Sequence, residues 1–312
     1  MKTDRSRPSS RRWLDAACAL VALALAAPAA AQHVWLDAAK APLPFQTHRE
    51  ITEYLGAAEV VDRKPIGVGI TGAERLVLER GGVRLRAAFR TVDETERGPF
   101  EGLPTSLRRV RDAAVFECAA YELSEALGLG RVPPTVCRKV DGKPGSLQIW
   151  FEGAMTETDL AEKSLDPPDL TRWGLQKQDM YVFDALVANL DRNRGNVMIA
   201  PDWTLWFIDH TRAFAQTSEL LGKKKITRCS RDLWRALREL DPDALSARLA
   251  PYLDRGETAA LLKRRTALVA HIEALIAARG EAAVLFDLAP PAAEPAARPP
   301  STAAPAPPPP GA

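Results

Sequence analysis

VFDALVANLDRNRGNVMIAPDWTLWFIDHTRAF, residues 182–214, carries an aspartate, an asparagine and a second aspartate in an order suited to work on a phosphate. Four residues separate Asp191 from Asn196, and Gly195 lets that loop bend. Asp209 follows two short apolar segments, 197–200 and 203–208, that meet at the turn Pro201-Asp202. The spacing predicts a loop and then a β-hairpin. Upstream, Met180, Phe183, Leu186 and Val187 form one helical stripe within 175–189, continued by Leu190, so a helix is expected to hold the loop against a core.

These residue types suit metal-assisted phosphoryl transfer. Magnesium prefers hard oxygen ligands and keeps several waters, so one carboxylate and one amide oxygen suffice for Mg²⁺, and the same set suits Mn²⁺. Asn196 and Asp209 are the expected metal ligands, and Asp191 the catalytic acceptor of a hydroxyl proton. Taken singly, a loop aspartate is a cap or turn former and an asparagine before a strand is a turn residue. Taken together, between a helix and a hairpin, the three favour the functional reading. Asp184 and Arg192 read as structural supports of the loop. His210, at a strand end, reads as a hydrogen-bonded structural group with no chemistry assigned.

The pattern D-x-L-x-x-N-x-D-R-x-x-x-N over 184–196, followed by I-D-H at 208–210, resembles the atypical kinases related to phosphatidylinositol 3- and 4-kinases. Similar motifs occur in the persistence-toxin kinases and the secretory-pathway protein kinases, and the match looks closest to exported bacterial members of the superfamily. The resemblance extends element by element over 65–279. It implies an α+β, bilobal kinase-like fold, with a small β-rich N-lobe carrying one helix and a mainly helical C-lobe. It also implies that ATP or another nucleotide binds between the lobes. Gly67, Gly69 and Gly72 lie where a glycine-containing hairpin would cover phosphates, although hairpin turns alone account for them.

Phe116, Ala119, Ala120, Leu123 and Leu127 recur at helical spacing before the stop Val132-Pro133-Pro134. Glu117 on that helix resembles the family's ion-pair glutamate, with Glu122 a less favoured substitute; an acidic residue is also favoured near any helix N-terminus. The strand 84–90 ends in Arg90 where the family has a lysine. Arginine forks two donors onto phosphate oxygens and is not equivalent to the compact ammonium, so the substitution puts ordinary ATP-dependent activity in question. Lys64 and Lys143 are the other candidate cations, and a solvated strand-end arginine is the plain reading of Arg90. Ser146–Glu152 reads as a strand and Phe151-Glu152-Gly153-Ala154 as the hinge whose backbone would meet a base.

Five basic residues precede the apolar run 16–27, and Pro28 with Ala29–Ala31 follows it, which reads as a secretory signal peptide cleaved after Ala31. The expected location is therefore exported, periplasmic or secreted, where no ATP pool is maintained. No later stretch approaches the length of a membrane span. Cys118, Cys137 and Cys229 remain after cleavage. An oxidising compartment permits a Cys118–Cys137 pair, and buried inert thiols are the alternative.

The 312 residues divide into 1–31 signal peptide, 32–64 N-terminal extension, 65–152 N-lobe, 153–289 C-lobe and 290–312 Pro/Ala-rich tail, expected to be disordered or extended. A net charge of +2 gives no ground for nucleic-acid binding. Lys223-Lys224-Lys225 with Arg228 and Arg231 is the densest positive patch. It reads as a solvated loop or, at the cleft, as a surface for an anionic substrate. The functional expectation is an exported kinase-like phosphotransferase using a metal–nucleotide complex, with a protein, lipid, sugar or small-molecule acceptor. The alternative is an exported pseudokinase acting as a nucleotide- or partner-binding scaffold.

Overall fold

Alternating inward and outward side chains, punctuated by tight turns, build an antiparallel sheet in the first half of the chain. The computed structural model describes residues 33–67, 72–101, 103, 105, 107 and 109–288. The expected signal peptide, the tail from residue 290 and Gly69 lie outside them. The chain runs through α1 (His48–Ala57), β1 (Glu59–Pro65), β2 (Glu74–Arg80) and β3 (Val83–Arg90). The hairpin β4 (Asp93–Arg97) and β5 (Arg109–Ala113) leads to α2 (Val115–Ala126), then β6 (Thr135–Val140) and β7 (Lys143–Ile149). These form a five-stranded sheet in the order β1-β2-β3-β7-β6, every neighbouring pair antiparallel.

Helices dominate the second half. Short β8 (Met155–Thr156) and α3 (Glu157–Glu162) precede α4 (Leu170–Val187), and the hairpin β9 (Val197–Ile199) and β10 (Leu205–Phe207) follows. Then come β11 (Cys229–Ser230), α5 (Arg231–Glu239), α6 (Pro242–Leu249), α7 (Arg255–Arg279), α8 (Glu281–Val284) and β12 (Leu285–Phe286). Asp254 starts α7 with a capping box that includes Glu257, and Asp241 caps α6 ahead of Pro242.

Two large apolar cores result, beside a small cluster of Leu107, Val110, Ala188 and Ala215. One gathers Phe116 and Leu123 of α2, Phe183 and Leu186 of α4, Phe207 and Phe214, and Leu268 of α7. The other lies against the sheet, around Leu55, Leu76, Phe89 and Leu147, and includes Trp35. Strand periodicity lets β10 serve both: Leu205 and Phe207 enter the first, while Trp206 faces the second, with its ring centroid 5.2 Å from those of Trp35 and Phe151. The hairpin thus ties the sheet to the helical part.

Several elements differ from the sequence expectation. The first sheet strand is β1, at Glu59–Pro65, upstream of the glycine stretch, and almost all of it is exposed. An edge strand solvated on both faces carries no apolar alternation, which is why its sequence gave no signal. The hairpin β4–β5 has the same character on its first strand. Segment 33–64, expected as an extension, contributes α1 and β1, with Ile51, Tyr54 and Leu55 buried. Helix α4 starts at Leu170, capped by Asp169, rather than at residue 175. Among the described residues, no helix is long and apolar enough to cross a membrane.

Cys118 of α2 and Cys137 of β6 form a disulfide, and Cys229 is a buried free thiol. Closing a loop between residues 19 apart restricts the unfolded chain, worth about 3 kcal/mol in the chain-entropy treatment. Replacing both cysteines by alanine should therefore lower the unfolding free energy by about that amount in urea titrations. An unchanged midpoint would show that the link does not contribute.

Candidate active site

Helix α4 ends in a left-handed residue, Ala188 at φ 48°, which turns the chain out into the loop 189–196. That loop is folded by its own side chains. Asn189 Oδ1 accepts from the Asp191 amide at 3.0 Å, and Asn193 Oδ1 accepts from the Gly195 amide at 2.8 Å, starting a single 3₁₀ turn over Arg194–Asn196. Asn196 Nδ2 donates to the Asp191 carbonyl at 2.8 Å, which directs the amide oxygen, Oδ1, to other partners. Asp191 itself is exposed on the loop.

Arg192 holds this loop to both neighbours. Its Nε donates to Asp184 Oδ2 on α4 at 3.0 Å, and its Nη2 to Asp184 Oδ1 at 3.1 Å. Nη1 donates to the Ile208 carbonyl at 2.8 Å and to the Asn196 carbonyl, while the Ile208 amide donates to the Asn196 carbonyl at 3.2 Å. One guanidinium therefore sets the distance between the loop and the strand end that carries Asp209. The supporting roles read for Asp184 and Arg192 correspond to these bonds.

Asp209 sits at φ 59°, in the left-handed region that aspartate tolerates better than most residues, just past β10. Its Oδ1 accepts from Thr211 Oγ1 at 3.3 Å. Burial raises its carboxyl above the ordinary aspartate value, Glu117 and Asp191 add to the rise, and Arg90 and His210 oppose it. The charges of Glu117, Asp191, Arg90 and His210 thus all reach the Asp209 carboxyl.

On the sheet side, Arg90 ends β3 opposite Ser146 of β7. The strands approach so closely there that a Cβ on Gly145 would lie 2.3 Å from the Arg90 carbonyl oxygen, so only glycine fits. Arg90 Nη1 lies 3.7 Å from Oε1 of Glu117, whose side chain is fully buried on α2. His210 Nδ1 lies 3.5 Å from the other oxygen, Oε2. Because Arg192 Nη2 can only donate to His210 Nε2, at 3.0 Å, the histidine proton belongs on Nδ1, facing Glu117. Burial pushes the Glu117 carboxyl up, but Arg90 and His210 outweigh it and hold the group below its ordinary value. A string of polar groups, Arg90–Glu117–His210–Arg192–Asp184, thus crosses the interior from the sheet to α4. His210 is the member that sequence reasoning left without a role beyond structure. The signal available was its position one residue after Asp209, between two apolar strands and an aromatic core.

The remaining candidates are placed as follows. Gly67 is exposed in the turn between β1 and β2, where the Ile66 amide donates to the Ala73 carbonyl at 2.9 Å. Glu122 is turned outward to Arg248 and so is not the partner of Arg90. Lys64 and Lys143 are exposed on β1 and β7. In the segment expected as a hinge, both Glu152 carboxylate oxygens accept from Arg86 of β3, and Gly153 turns at φ 73°.

The residues fit a metal–nucleotide complex. Arg90 Nη1 and both Glu117 oxygens are buried without hydrogen-bond partners in the protein, so a donor is held ready beside a balancing carboxylate, as an anionic phosphate requires. The Asp209 carboxylate and the Asn196 amide are hard oxygen donors of the kind that Mg²⁺ or Mn²⁺ prefers. Among the described residues, no group of three or more His, Cys, Asp or Glu is assembled for a metal.

No protein-family model matches this sequence, and no curated protein matches it by sequence. Solved structures do match in fold. The structure of hydra Fam20 with sugar aligns with a TM-score of 0.58 at 14% identity, over 79% of this chain and 94% of that one. The crystal structure of the golgi casein kinase aligns with a TM-score of 0.56 at 15% identity, over 77% of each chain. At such identities the likeness is one of architecture, and the architecture is kinase-like: an α+β fold in which a β-rich part with one inserted helix is followed by a mainly helical part.

Proposed function

We propose that the protein is a kinase-like phosphotransferase that uses a nucleotide complexed to Mg²⁺ or Mn²⁺, exported to the periplasm or the medium. The observation that carries this reading is the buried Arg90–Glu117 pair at 3.7 Å, joined through His210 and Arg192 to the loop that carries Asp191 and to the strand end that carries Asp209. Asp191 accepts the proton of the attacking hydroxyl as the new O–P bond forms and the bond to the departing diphosphate breaks. Asn196 and Asp209 would hold the divalent cation, which would offset charge on the phosphate oxygens. Arg90, positioned by Glu117, binds a phosphate with a charge-assisted hydrogen bond. Its guanidinium already lies 3.7 Å from the carboxylate that the family's lysine would meet, which supports a working ion pair in spite of the substitution.

The Asp-Arg and Ile-Asp-His motifs support a relationship to the phosphatidylinositol-kinase-like group. The Cys118–Cys137 disulfide supports an oxidising compartment. Export without an ATP pool favours the second reading, a binding scaffold, and nucleotide titration separates the two. Calorimetry of the mature chain should show metal-dependent nucleotide binding that is lost in Asp209→Ala and retained in Asp191→Ala. Absence of binding to any nucleotide with either metal would overturn the enzyme.

A further inference from the structure

Beside the loop 189–196 lies a cavity of about 220 Å³. Tyr181 and Asp184 of α4 form one wall, Leu190 and Arg192 of the loop another, and Gly222 with Lys225 a third. Leu190 and Arg192, the neighbours of Asp191 in sequence, line it, so the cavity adjoins the loop that carries the proposed proton acceptor. We propose that this cavity is the acceptor subsite, and that it takes a small hydroxyl compound bearing a phosphate, such as a sugar or polyol phosphate. The assignment rests on the phosphotransferase reading for its role as acceptor site, though not for its preference for an anion.

Charge sets that preference. Asp184 and Arg192 satisfy one another through paired hydrogen bonds, so the net charge of the wall comes from Lys225. The Lys225 ammonium lies 5.6 Å from the centroid of the Tyr181 ring and makes no ion pair among the described residues. The Tyr181 hydroxyl is likewise without a protein hydrogen bond among them, which leaves one neutral and one cationic donor lining the same cavity. Lys223 and Lys224, both exposed on the same 3₁₀ turn, extend the positive field outward.

The turn is built to stay in place. Gln178 of α4 donates from Nε2 to the Lys225 carbonyl at 3.2 Å, and its Oε1 accepts from the amides of Thr227 at 2.9 Å and Arg228 at 3.0 Å. Asp179 accepts from the Ser230 amide at 2.9 Å, and a His271 ring nitrogen meets the Ile226 carbonyl at 3.1 Å. A lysine on a loop so anchored loses less entropy on binding than one on a free surface loop. The volume corresponds to about seven water molecules, which admits a phosphorylated triose or hexose and excludes a folded polypeptide segment.

The test uses paired probes that differ only in the phosphate: glycerol 3-phosphate against glycerol, and glucose 6-phosphate against glucose. Calorimetry on the full mature chain should show the phosphate member of a pair binding roughly ten- to a hundredfold tighter than its neutral twin. Lys225→Gln and Tyr181→Phe should each reduce that ratio, while Lys263→Gln, which removes the same charge from the exposed face of α7, should leave it intact. Circular dichroism melts establish that the variants are folded. No discrimination within either pair, or discrimination that survives Lys225→Gln, overturns the proposal. Nucleotide titration of the wild type is read separately, so Lys225-dependent phosphate binding without nucleotide binding would sink the enzyme and keep the anion site.

Discussion

Replacing Arg90 by methionine is expected to destabilise the folded protein by about 3–5 kcal/mol, because it leaves the carboxylate of Glu117 buried without its main counter-charge. Both partners are almost wholly removed from solvent, so screening by water does little for the survivor. His210 remains 3.5 Å from Oε2, but a neutral imidazole held by Arg192 offsets only part of a full charge. Urea denaturation of the single variant and of Arg90→Met with Glu117→Met forms the decisive cycle. The double variant should recover much of the loss, since removing a whole buried pair is far less costly than removing half of it. Arg90→Lys should fold normally, and its nucleotide affinity compares the two cations directly. A single variant as stable as wild type would mean that Glu117 is protonated in the fold and that the ion pair is not the link between sheet and α2.

Asp191→Ala should lower phosphoryl transfer by about 10²–10⁴-fold, the usual contribution of a positioned base, once an acceptor is in hand. The side chain is exposed and its carboxylate makes few structural bonds, the nearest being a long one from Asn193 Nδ2 at 3.3 Å. The loop is instead built on the Asp191 backbone: its amide donates to Asn189, and its carbonyl accepts from Asn196. Alanine preserves both, so the variant should keep its melting temperature and its metal–nucleotide affinity and lose only turnover. A fall in affinity parallel to that of Asp209→Ala would assign Asp191 to the metal instead.

Much of this molecule can be read along the chain because it rests on short-range chemistry. The order Asp191, Asn196, Asp209 and the helical stripe through Phe183 and Leu186 depend on neighbours within a few residues, and each element formed close to where its pattern lies. The starts of α6 and α7 were visible in Asp241-Pro242 and Asp254 for the same reason. The strand β1 and the hairpin β4–β5 were not, because solvated edge strands carry no apolar alternation; their place comes from pairing with β2 and with each other.

The sequence by itself determined the loop and the hairpin and named the residues proposed for metal and proton. The tertiary structure alone decided that Glu117 rather than Glu122 faces Arg90, that His210 joins Glu117 to Arg192, and that the lysine turn is pinned by Gln178 beside a cavity. Those relations depend on the register of β3 against β7, on which face α2 turns to the core and on how α4 packs. They are long-range choices made by burial and close packing, and no local period in the chain encodes them.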